Sequence, residues 1–412
     1  MNRLMKQFFL MLSIALLFTA CGSQKYPHDN SPGGSDGGGI NNPSFSTEEK
    51  SFLYDLFLIE YYWYDKVPQP FDYSNYTEPQ PMIDDLKYVD RDRWSFVMTQ
   101  QEYEDFATQN TAGFGFGYTL DNDNNLLVYM VRIDSPAEKA GLKRGDVIIK
   151  INGEDATPEL IALASKNVNQ TTTFTVFNLG APNTTPLDID IAAQEYTFKV
   201  TSASTVQTQS GITAGYLRFD SFTDNATDEI DEAFTYFHDR KIKKLVIDLR
   251  YNGGGYLNTA SILLDKLVRD KDGKVQFKLA WNDKNSPKNE VATFETDNNS
   301  LDLSQIVFLT SQRSASASEL VINSLDAVDM GVDIALVGDR THGKPVGMAG
   351  RSYGNHIYFL VNFLVENADG FSDYFDGIPV DCPANDDILH QLGDPDETML
   401  NTALNYIDTG SC

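Results

Sequence analysis

The chain has 412 residues, which is enough for two or three domains of about 100–200 residues each. Its hydrophobic content of 41% and aromatic content of 12% can form packed cores, so the composition excludes a wholly disordered chain. The formal net charge of −27 argues against a nucleic-acid partner, because nucleic-acid phosphates would be repelled. Since neither a Cys-x-x-Cys pair nor a His-Glu-x-x-His motif occurs, we expect no metal site and no cofactor.

Residues 1–20 are typical of a signal peptide. A basic start precedes an apolar run over residues 8–18 that is too short to span a bilayer as a mature helix. The residues Phe18-Thr19-Ala20-Cys21 resemble the lipobox of bacterial lipoproteins, which implies that Cys21 is lipidated and becomes the first mature residue. The alternative is an ordinary secretory signal that is cleaved nearby. Both interpretations place the mature chain outside the cytoplasm, and the lipobox implies a periplasmic or outer-membrane lipoprotein of the bacterial cell envelope.

Two segments follow the predicted signal. Residues 21–44 are rich in Gly, Ser, Asn and Pro and predict a flexible linker between the lipid anchor and the folded body. Residues 45–110 predict a helical N-terminal domain, because capping residues at Ser46 and Thr47 precede apolar residues near helical spacing. The aromatic run Tyr61–Tyr64 is compatible with a ligand site, but packing explains it better, so we assign this segment a structural role.

Residues 111–200 combine a glycine-rich loop, Gly113-Phe114-Gly115-Phe116-Gly117, with a strongly capped helix. The helix start Ser135-Pro136-Ala137-Glu138 has a capping serine, a proline at the first helical position and the glutamate of a capping box. With the later blocks Ala140-Gly141-Leu142, Gly145-Asp146 and Ile151-Asn152-Gly153, this stretch resembles a bacterial PDZ domain.

The PDZ resemblance implies a use for the glycine-rich loop. In PDZ domains such a loop turns backbone N–H groups toward the terminal carboxylate of a peptide, which adds as a strand beside it. We therefore expect Gly113, Gly115 and Gly117 to bind the C-terminus of a protein or peptide substrate, with Phe114 and Phe116 near an apolar pocket. A glycine-rich hairpin that binds no ligand is the alternative.

A second glycine loop follows a predicted buried strand. Leu245-Val246-Ile247-Asp248-Leu249-Arg250 leads into Tyr251-Asn252-Gly253-Gly254-Gly255 and then into a helical pattern. A strand, a glycine loop and a helix can bind phosphate, but this loop lacks a Gly-Lys-Ser/Thr ending and a spaced Gly-x-Gly-x-x-Gly. The sequence favours the other use of N–H groups at a helix start, which is to hold an oxyanion.

A serine nucleophile and a lysine base are each predicted just past a buried strand. Ser314-Ala315-Ser316-Ala317-Ser318-Glu319 follows an apolar run over residues 306–309, and Gly343-Lys344 follows another over residues 334–338. Parallel strands place such residues at one edge of a sheet. A buried lysine can become neutral near pH 7 and remove the serine proton. Small residues that only cap a helix are the alternative for the Ser-Ala repeat.

These blocks, in this order, resemble the S41 family of C-terminal processing peptidases: Asp248-Leu249-Arg250-x-Asn252-x-Gly254-Gly255, the Ser-Ala repeat, Val337-Gly338-Asp339-x-Thr341-x-Gly343-Lys344, and Gly377-Ile378-Pro379-x-Asp381. The resemblance implies an α/β multidomain fold with a crotonase/ClpP-like ββα protease core over residues 201–412, a small β-rich PDZ domain and a helical N-terminal segment.

The same resemblance implies the roles of individual residues. Ser316, the middle serine, corresponds to the nucleophile and Lys344 to the general base. The backbone N–H of Ala317, with one from Gly254 or Gly255, corresponds to the oxyanion hole. The family counterpart of Glu319 has been implicated in the site, although a glutamate in the first turn of a helix is often only a partner of the helix dipole.

The chain departs from the family pattern near the lysine. Many members carry a glutamine four residues after the lysine that helps to orient its ammonium group, whereas this chain has Met348. A serine–histidine mechanism would use His342, two residues before Lys344, as the base. The family often has a bulky aromatic residue at that position, so we interpret His342 as a shape or substrate contact. No Gly-x-Ser-x-Gly elbow occurs, which argues against an α/β-hydrolase.

The sequence therefore predicts a serine endopeptidase of the cell envelope that cleaves protein substrates near their C-termini, with PDZ recognition of the C-terminus. One alternative is a catalytically inactive PDZ protein that binds peptides, which Met348 favours. Another is a non-proteolytic hydrolase or binding protein on the same core. An oxidising envelope permits a disulfide between Cys382 and Cys412, but the sequence alone leaves that bond open.

Overall fold

The computed structural model describes residues 45–107, 110–120, 124–180, 185–327 and 330–412. The predicted signal peptide, Cys21 and the linker lie outside the described residues. Within the described ranges, none of the helices has the length and hydropathy that a membrane span requires. Strands and helices are mixed throughout, with a small β-rich unit inserted between an N-terminal segment and a large α/β core, so the predicted α/β multidomain fold is confirmed.

The described part of the N-terminal segment contains three α-helices, a short 3₁₀ helix (Tyr64–Lys66) and one strand. Helix α1 begins where Ser46 Oγ accepts a hydrogen bond from Glu49 N–H at 3.1 Å, which is an N-cap. The elements are α1 (Thr47–Ile59), α2 (Pro79–Leu86), β1 (Phe96–Thr99) and α3 (Gln100–Ala107).

The β-rich unit follows the predicted PDZ pattern. Its elements are β2 (Asn110–Gly113), β3 (Phe116–Leu120), β4 (Leu126–Val131), α4 (Pro136–Ala140), β5 (Asp146–Ile151), β6 (Glu154–Asp155), α5 (Pro158–Ser165), β7 (Thr171–Asn178), β8 (Leu187–Ala192) and β9 (Gln194–Thr197). The main sheet has the order β3-β4-β5-β7-β8, with β6 paired to β5 and β2 paired to β9. Helix α4 is capped by Ser135, which accepts from Glu138 N–H, and ends at the left-handed Gly141.

The core is built on a six-stranded sheet with the order β10-β11-β12-β15-β16-β21, parallel except for β10. Its elements in chain order are β10 (Thr201–Gln207), β11 (Thr213–Phe219), α6 (Ala226–Asp239), β12 (Lys244–Asp248), α7 (Leu257–Leu267), β13 (Val275–Trp281), β14 (Glu290–Thr293), β15 (Gln305–Thr310), α8 (Ala317–Leu325), β16 (Asp333–Gly338), β17 (Val346–Met348), β18 (Arg351–Tyr353), β19 (His356–Phe359), β20 (Val361–Glu366), β21 (Cys382–Pro383) and α9 (Thr398–Thr409).

Both faces of this sheet are covered, which explains its continuous apolar strands. Alternate residues of β15 point to opposite faces: Ile306 and Phe308 pack in the cluster of α6, α7 and α8, whereas Val307 and Leu309 pack against α9. A disulfide joins Cys382 in β21 to Cys412 after α9, so the bond that the sequence left open is formed.

The N-terminal segment shares an apolar cluster with the large α/β core. Strand β1 pairs antiparallel with β19, so the N-terminal segment extends the β18–β19 hairpin into a three-stranded sheet. The buried Tyr61 of the aromatic run packs in the same cluster as Met348 and Tyr358. The beginning of the chain is thereby attached to the region that immediately follows Lys344.

The carboxyl ends of the parallel strands β12, β15 and β16 lie at the same edge of the sheet. The loops that leave these ends carry the glycine loop, the Ser-Ala repeat and the lysine. The sheet thus brings together three segments that are distant in sequence.

Candidate active site

Two serines of the Ser-Ala repeat fasten the glycine loop to the start of α8. The hydroxyl of Ser314 donates to the carbonyl of Leu249 at 2.7 Å, and that of Ser318 donates to the carbonyl of Asn252 at 2.9 Å. Both serines are buried, whereas Ser316 between them is partly exposed. The two outer serines therefore have a structural role, whereas the middle serine is accessible at the surface of the site.

The backbone of Ser316 adopts a conformation that is rare for a residue with a side chain. Its φ is 58° and its ψ is −111°. Such strained residues persist where surrounding contacts fix them, and they occur often at catalytic sites. Ser316 lies directly before α8, so Ala317 is the first helical residue. The N–H of Ala317 therefore has no acceptor within the helix.

The carboxylate of Glu319 joins the serine segment to the lysine segment. Its Oε2 accepts from the backbone N–H groups of Ser316 and Lys344, each at 2.8 Å. Its Oε1 accepts from Gly343 N–H and from Thr341 Oγ1, each at 2.6 Å. Glu319 has no exposed surface, and this burial raises its pKa although the four hydrogen bonds act in the opposite direction. Glu319 therefore links the serine segment to the lysine segment, and its role is not limited to an interaction with the helix dipole.

Lys344 is buried, with 3% of its surface exposed. Burial lowers its pKa from 10.5 to about 7, and the carboxylates of Asp92 and Glu319 limit that fall. A large fraction of the amine is therefore neutral at neutral pH and able to accept a proton. This is the property that a lysine base requires.

The imidazole and the backbone N–H of His342 both form hydrogen bonds with other groups. The Trp94 Nε1–H donates to His342 Nε2 at 3.2 Å, and the backbone N–H of His342 donates to Ser314 O at 2.9 Å. Burial lowers the pKa of His342, helped by the nearby charges of Arg93 and Lys344, and a hydrogen bond to the Gln312 backbone works in the opposite direction. The imidazole is therefore neutral, and the nitrogen that could accept a proton already accepts the indole N–H.

The glycine loop lies against the segment that contains Ser316. A Cβ placed on Gly254, where φ is 102°, would lie 2.9 Å from both Ala315 O and Ser316 Cβ. The N–H of Gly254 donates to Asn252 Oδ1 at 2.9 Å, so this bond must be shared or exchanged before that N–H can serve an oxyanion. Gly255 follows with φ of 147°, and its Cα approaches the backbone of Phe222 closely.

A buried charged network fixes the strand that precedes the glycine loop. Arg250 donates to both carboxylate oxygens of Glu397 at 2.9 Å, and also to Asp248 and Asp386 at 2.9 Å each. Arg144 of the PDZ unit also pairs with Asp386, at 2.5 Å. These two guanidinium groups hold the pKa of Asp386 low in spite of its burial. The glycine loop, the PDZ unit and the C-terminal segment are thus joined through one carboxylate.

In the β-rich unit the glycine-rich loop precedes β3, which is the terminal strand of its sheet among the described residues. Strand β3, which begins at Phe116, is the first strand of its sheet and pairs with β4 on one side. A Cβ on Gly115, where φ is 86°, would lie 2.3 Å from Ser135 Cβ, so the loop needs glycine there. Phe114 is buried in the core of the unit, where its ring lies edge-on to Phe174, whereas Phe116 is partly buried at the start of β3.

The sequence reasoning missed the contribution of the N-terminal segment. Arg93 donates to the carbonyls of Gly343, at 3.4 Å, and Phe375, at 3.1 Å, while Trp94 reaches His342. The preceding residue, Asp92, is one of the two carboxylates that act on the charge of Lys344. The only sequence signal was a charged and aromatic run, residues 91–95, directly before a strand.

Met348 lies in the place of the expected glutamine and has an apolar environment. Its side chain is 1% exposed and packs in the cluster that includes Val346 and Tyr358. A thioether in such a cluster cannot donate a hydrogen bond or supply a charge. Any group that orients the lysine amine must therefore come from another part of the chain.

Comparison with protein-family models gives three matches in the order seen in the structure. Residues 213–365 match Peptidase family S41, residues 127–176 match the PDZ domain, and residues 48–96 match the Peptidase S41 N-terminal domain. These matches support an S41 peptidase region with a PDZ domain and an S41 N-terminal domain in this chain. The predicted S41 resemblance with a PDZ domain is therefore confirmed, and the N-terminal segment is itself a recognised part of this family.

Curated relatives are named as carboxy-terminal processing proteases. CtpB of Bacillus subtilis (strain 168) is 28% identical over 257 residues, which cover 61% of this chain and 51% of that protein. The carboxyl-terminal-processing protease of Synechocystis sp. (strain ATCC 27184 / PCC 6803 / Kazusa) is 24% identical over 89% of this chain and 82% of its own length. This chain spans about half of the length of the Bacillus protein.

Solved structures share the fold. The crystal structure of a Bacteroides fragilis NCTC 9343 protein assigned to the S41 proteases has a TM-score of 0.76 and 26% identity, covering 88% of this chain and 98% of that chain. A photosystem II D1 C-terminal processing protease has a TM-score of 0.51 at 18% identity, covering 81% of this chain and 91% of that chain. The second comparison concerns the fold alone.

Proposed function

We propose that the protein is a serine endopeptidase that cleaves protein substrates near their C-termini with a Ser316–Lys344 dyad. The observation that carries this proposal is the carboxylate of Glu319, which holds the backbone N–H groups of Ser316 and Lys344 at 2.8 Å each. That arrangement binds the backbones of the partly exposed serine and the buried lysine to one carboxylate. The low pKa of Lys344, about 7, supports its role as the base.

The proposed reaction proceeds by acyl transfer. The neutral amine of Lys344 takes the proton of the Ser316 hydroxyl while Oγ attacks the carbonyl carbon of the scissile peptide bond. The oxyanion that forms accepts hydrogen bonds from Ala317 N–H and from Gly254 or Gly255. The Lys344 ammonium then gives its proton to the leaving amine, and a water molecule, activated in the same way, hydrolyses the acyl-enzyme.

His342 is the rival base, and its contacts disfavour that role. The nitrogen that would accept the serine proton already accepts the Trp94 indole N–H at 3.2 Å. We therefore assign His342 to shaping the site. His342→Ala should lower the cleavage rate without abolishing acylation of Ser316, whereas Lys344→Met should abolish it.

The PDZ unit is proposed to bind the C-terminus of the substrate. The free edge of β3 can accept an extended peptide as an additional strand, and the loop Gly113–Gly115 lies at the beginning of that edge. Partly buried Phe116 lies at this edge, while buried Phe114 supports the loop from the core. A peptide with a free C-terminus should bind more tightly than its amidated form, and equal affinities would contradict this assignment.

We further propose that the protein acts in the cell envelope, held to the membrane by a lipid on Cys21. The support is the sequence of residues 1–21 together with the disulfide between Cys382 and Cys412, since disulfides persist in oxidising compartments. Incorporation of radiolabelled palmitate into the full chain, compared with Cys21→Ser, tests the anchor. Equal labelling of the two proteins would refute it.

The test of the activity uses an unfolded protein and a peptide with an apolar free C-terminus as probes. We expect the wild-type chain to cleave them, Ser316→Ala to bind the peptide without cleaving it, and Ser202→Ala, a change at an exposed strand position, to behave as wild type. If the wild-type chain binds the peptide without turnover, the protein is the peptide-binding alternative that Met348 favours. Cleavage that survives in Ser316→Ala would refute the nucleophile.

A further inference from the structure

The N-terminal segment contributes a rigid, buried carboxylate close to the candidate base. Asp92 is 1% exposed. Its Oδ1 accepts from the backbone N–H groups of Trp94 and Ser95, each at 2.9 Å, and its Oδ2 accepts from Ser95 Oγ at 2.5 Å. These three hydrogen bonds, with a further one from the Tyr61 hydroxyl, hold the buried carboxylate in a single orientation.

The residues next to Asp92 fix it against the loop that carries Lys344. Arg93 donates to Gly343 O, and Trp94 donates to His342 Nε2, so both residues before the lysine are contacted. Ser95 Oγ accepts from Val361 N–H at 3.0 Å on the strand that pairs with β17. Contacts with residues before and after Lys344 in the chain thus hold the Asp92 segment against the loop that carries this lysine.

Asp92 is one of two carboxylates that favour the charged form of Lys344. Met348 packs among apolar side chains, and the oxygens of Glu319 already accept four hydrogen bonds from the serine and lysine segments. Of the two carboxylates that favour the charged form of Lys344, Asp92 has the larger effect.

We infer that Asp92 is a positioning residue for Lys344. Its carboxylate supplies the counter-charge for the lysine ammonium that forms when Ser316 gives up its proton. Its importance for catalysis rests on the proposed function, whereas its coupling to the lysine amine is a property of the fold. The N-terminal segment then has a chemical role as well as a structural one.

Several other groups lie near Asp92 and Lys344 and must be considered in any titration. The carboxylate of Glu319 favours the charged form of Lys344. His342 is itself disfavoured in its charged form by Arg93 and Lys344, and the Tyr61 hydroxyl hydrogen-bonds to Asp92. Burial raises the pKa of the Tyr61 hydroxyl, so this group stays neutral over the range in which Lys344 titrates. A change in the titration of Lys344 that follows replacement of Asp92 alone can therefore be assigned to Asp92.

The experiment measures the titration of Lys344 directly in the full chain, by the ¹³Cε resonance of labelled lysine, assigned by its loss in Lys344→Met. Asp92→Asn should move the midpoint to lower pH by about one unit or more, because a favourable negative charge is lost. Asp90→Asn, an exposed carboxylate two residues earlier, should leave it unchanged. This readout does not require turnover, so it remains informative if the proposed peptidase activity fails.

Cleavage gives the second readout. In Asp92→Asn the acidic limb of the kcat/KM profile should move with the lysine midpoint, and the plateau at higher pH should fall by less than about tenfold because the base is weaker. Asp92→Glu, which keeps the charge, should restore the limb toward wild type. A uniform loss of activity with an unmoved midpoint would show a merely structural role and overturn the inference.

The wild-type chain provides a test even if Asp92→Asn does not fold. The ¹³Cγ resonance of Asp92 should show an inflection at the Lys344 midpoint, and this inflection should vanish in Lys344→Met. An Asp92 resonance that ignores the lysine titration would overturn the inference.

Discussion

At acidic pH, Lys344→Met should have a larger free energy of unfolding than the wild-type chain, and it should have no activity. The lysine is 3% exposed, and its pKa falls from 10.5 to about 7 on folding because burial disfavours the charged amine. At about 1.4 kcal/mol per pKa unit, this shift corresponds to about 5 kcal/mol of stability. Methionine has a similar length and no charge, so it does not carry this cost.

The sign of the effect follows from proton binding. Between pH 7 and pH 10.5 the unfolded wild-type chain holds a proton on Lys344 that the folded chain lacks, so its stability rises with pH in this window. Below pH 7 both states are protonated and the full cost remains. The stability of Lys344→Met relative to wild type should therefore increase by about 3 kcal/mol as the pH falls from 9 to 6.

Urea unfolding followed by tryptophan fluorescence at several pH values measures this difference. Lys274→Met serves as the matched control because Lys274 is an exposed lysine in the same core, and its difference from wild type should not vary with pH. A difference between Lys344→Met and wild type that is constant from pH 6 to pH 9 would refute the burial argument, and with it the neutral amine on which the proposed mechanism depends.

Three further outcomes are expected. The kcat/KM of the wild-type chain should fall below about pH 7, since Lys344 must be neutral to act as the base; a rate that stays constant to pH 5 would exclude it. Gly254→Ala should abolish cleavage, because the new methyl group meets Ser316 at 2.9 Å, whereas Gly273→Ala, which has a similar positive φ and open space around it, should reduce only stability. Cys412→Ser should lower the free energy of unfolding by about 3–4 kcal/mol by opening a loop of 30 residues, measured by urea titration with and without reductant; no difference would mean that the disulfide is not formed in solution.

Local patterns in the sequence were sufficient for the core of the fold. Each predicted strand was a continuous apolar run, and such runs are reliable where both faces of a parallel sheet are covered, as for β15. The helix start at Ser135 was predictable because capping depends on neighbouring residues alone. The same local logic led from strand ends to the glycine loop, the Ser-Ala repeat and the lysine.

Contacts between distant parts of the chain were not predictable in this way. Arg93 and Gly343 are separated by 250 residues along the chain, and no spacing rule relates them. The indole of Trp94 donates to His342, a contact that no local pattern indicated. Phe114 was expected near a peptide pocket, although its ring lies in the core. Pairing of Cys382 with Cys412 depends on the approach of α9 to β21, which is likewise a tertiary property.

The pKa of Lys344 reflects a balance between two opposing effects. Burial lowers the pKa of the amine, and the further this pKa falls, the poorer the amine becomes as an acceptor for a serine proton. Carboxylates raise the pKa back to about 7, and one of them, Glu319, belongs to the same unit as the nucleophile. The other, Asp92, belongs to the N-terminal segment, which is attached to the core by the pairing of β1 with β19 and by the contacts of Arg93 and Trp94. The strength of the base therefore depends on the docking of that segment, so a core expressed without it should contain both members of the dyad and yet a lysine of the wrong basicity.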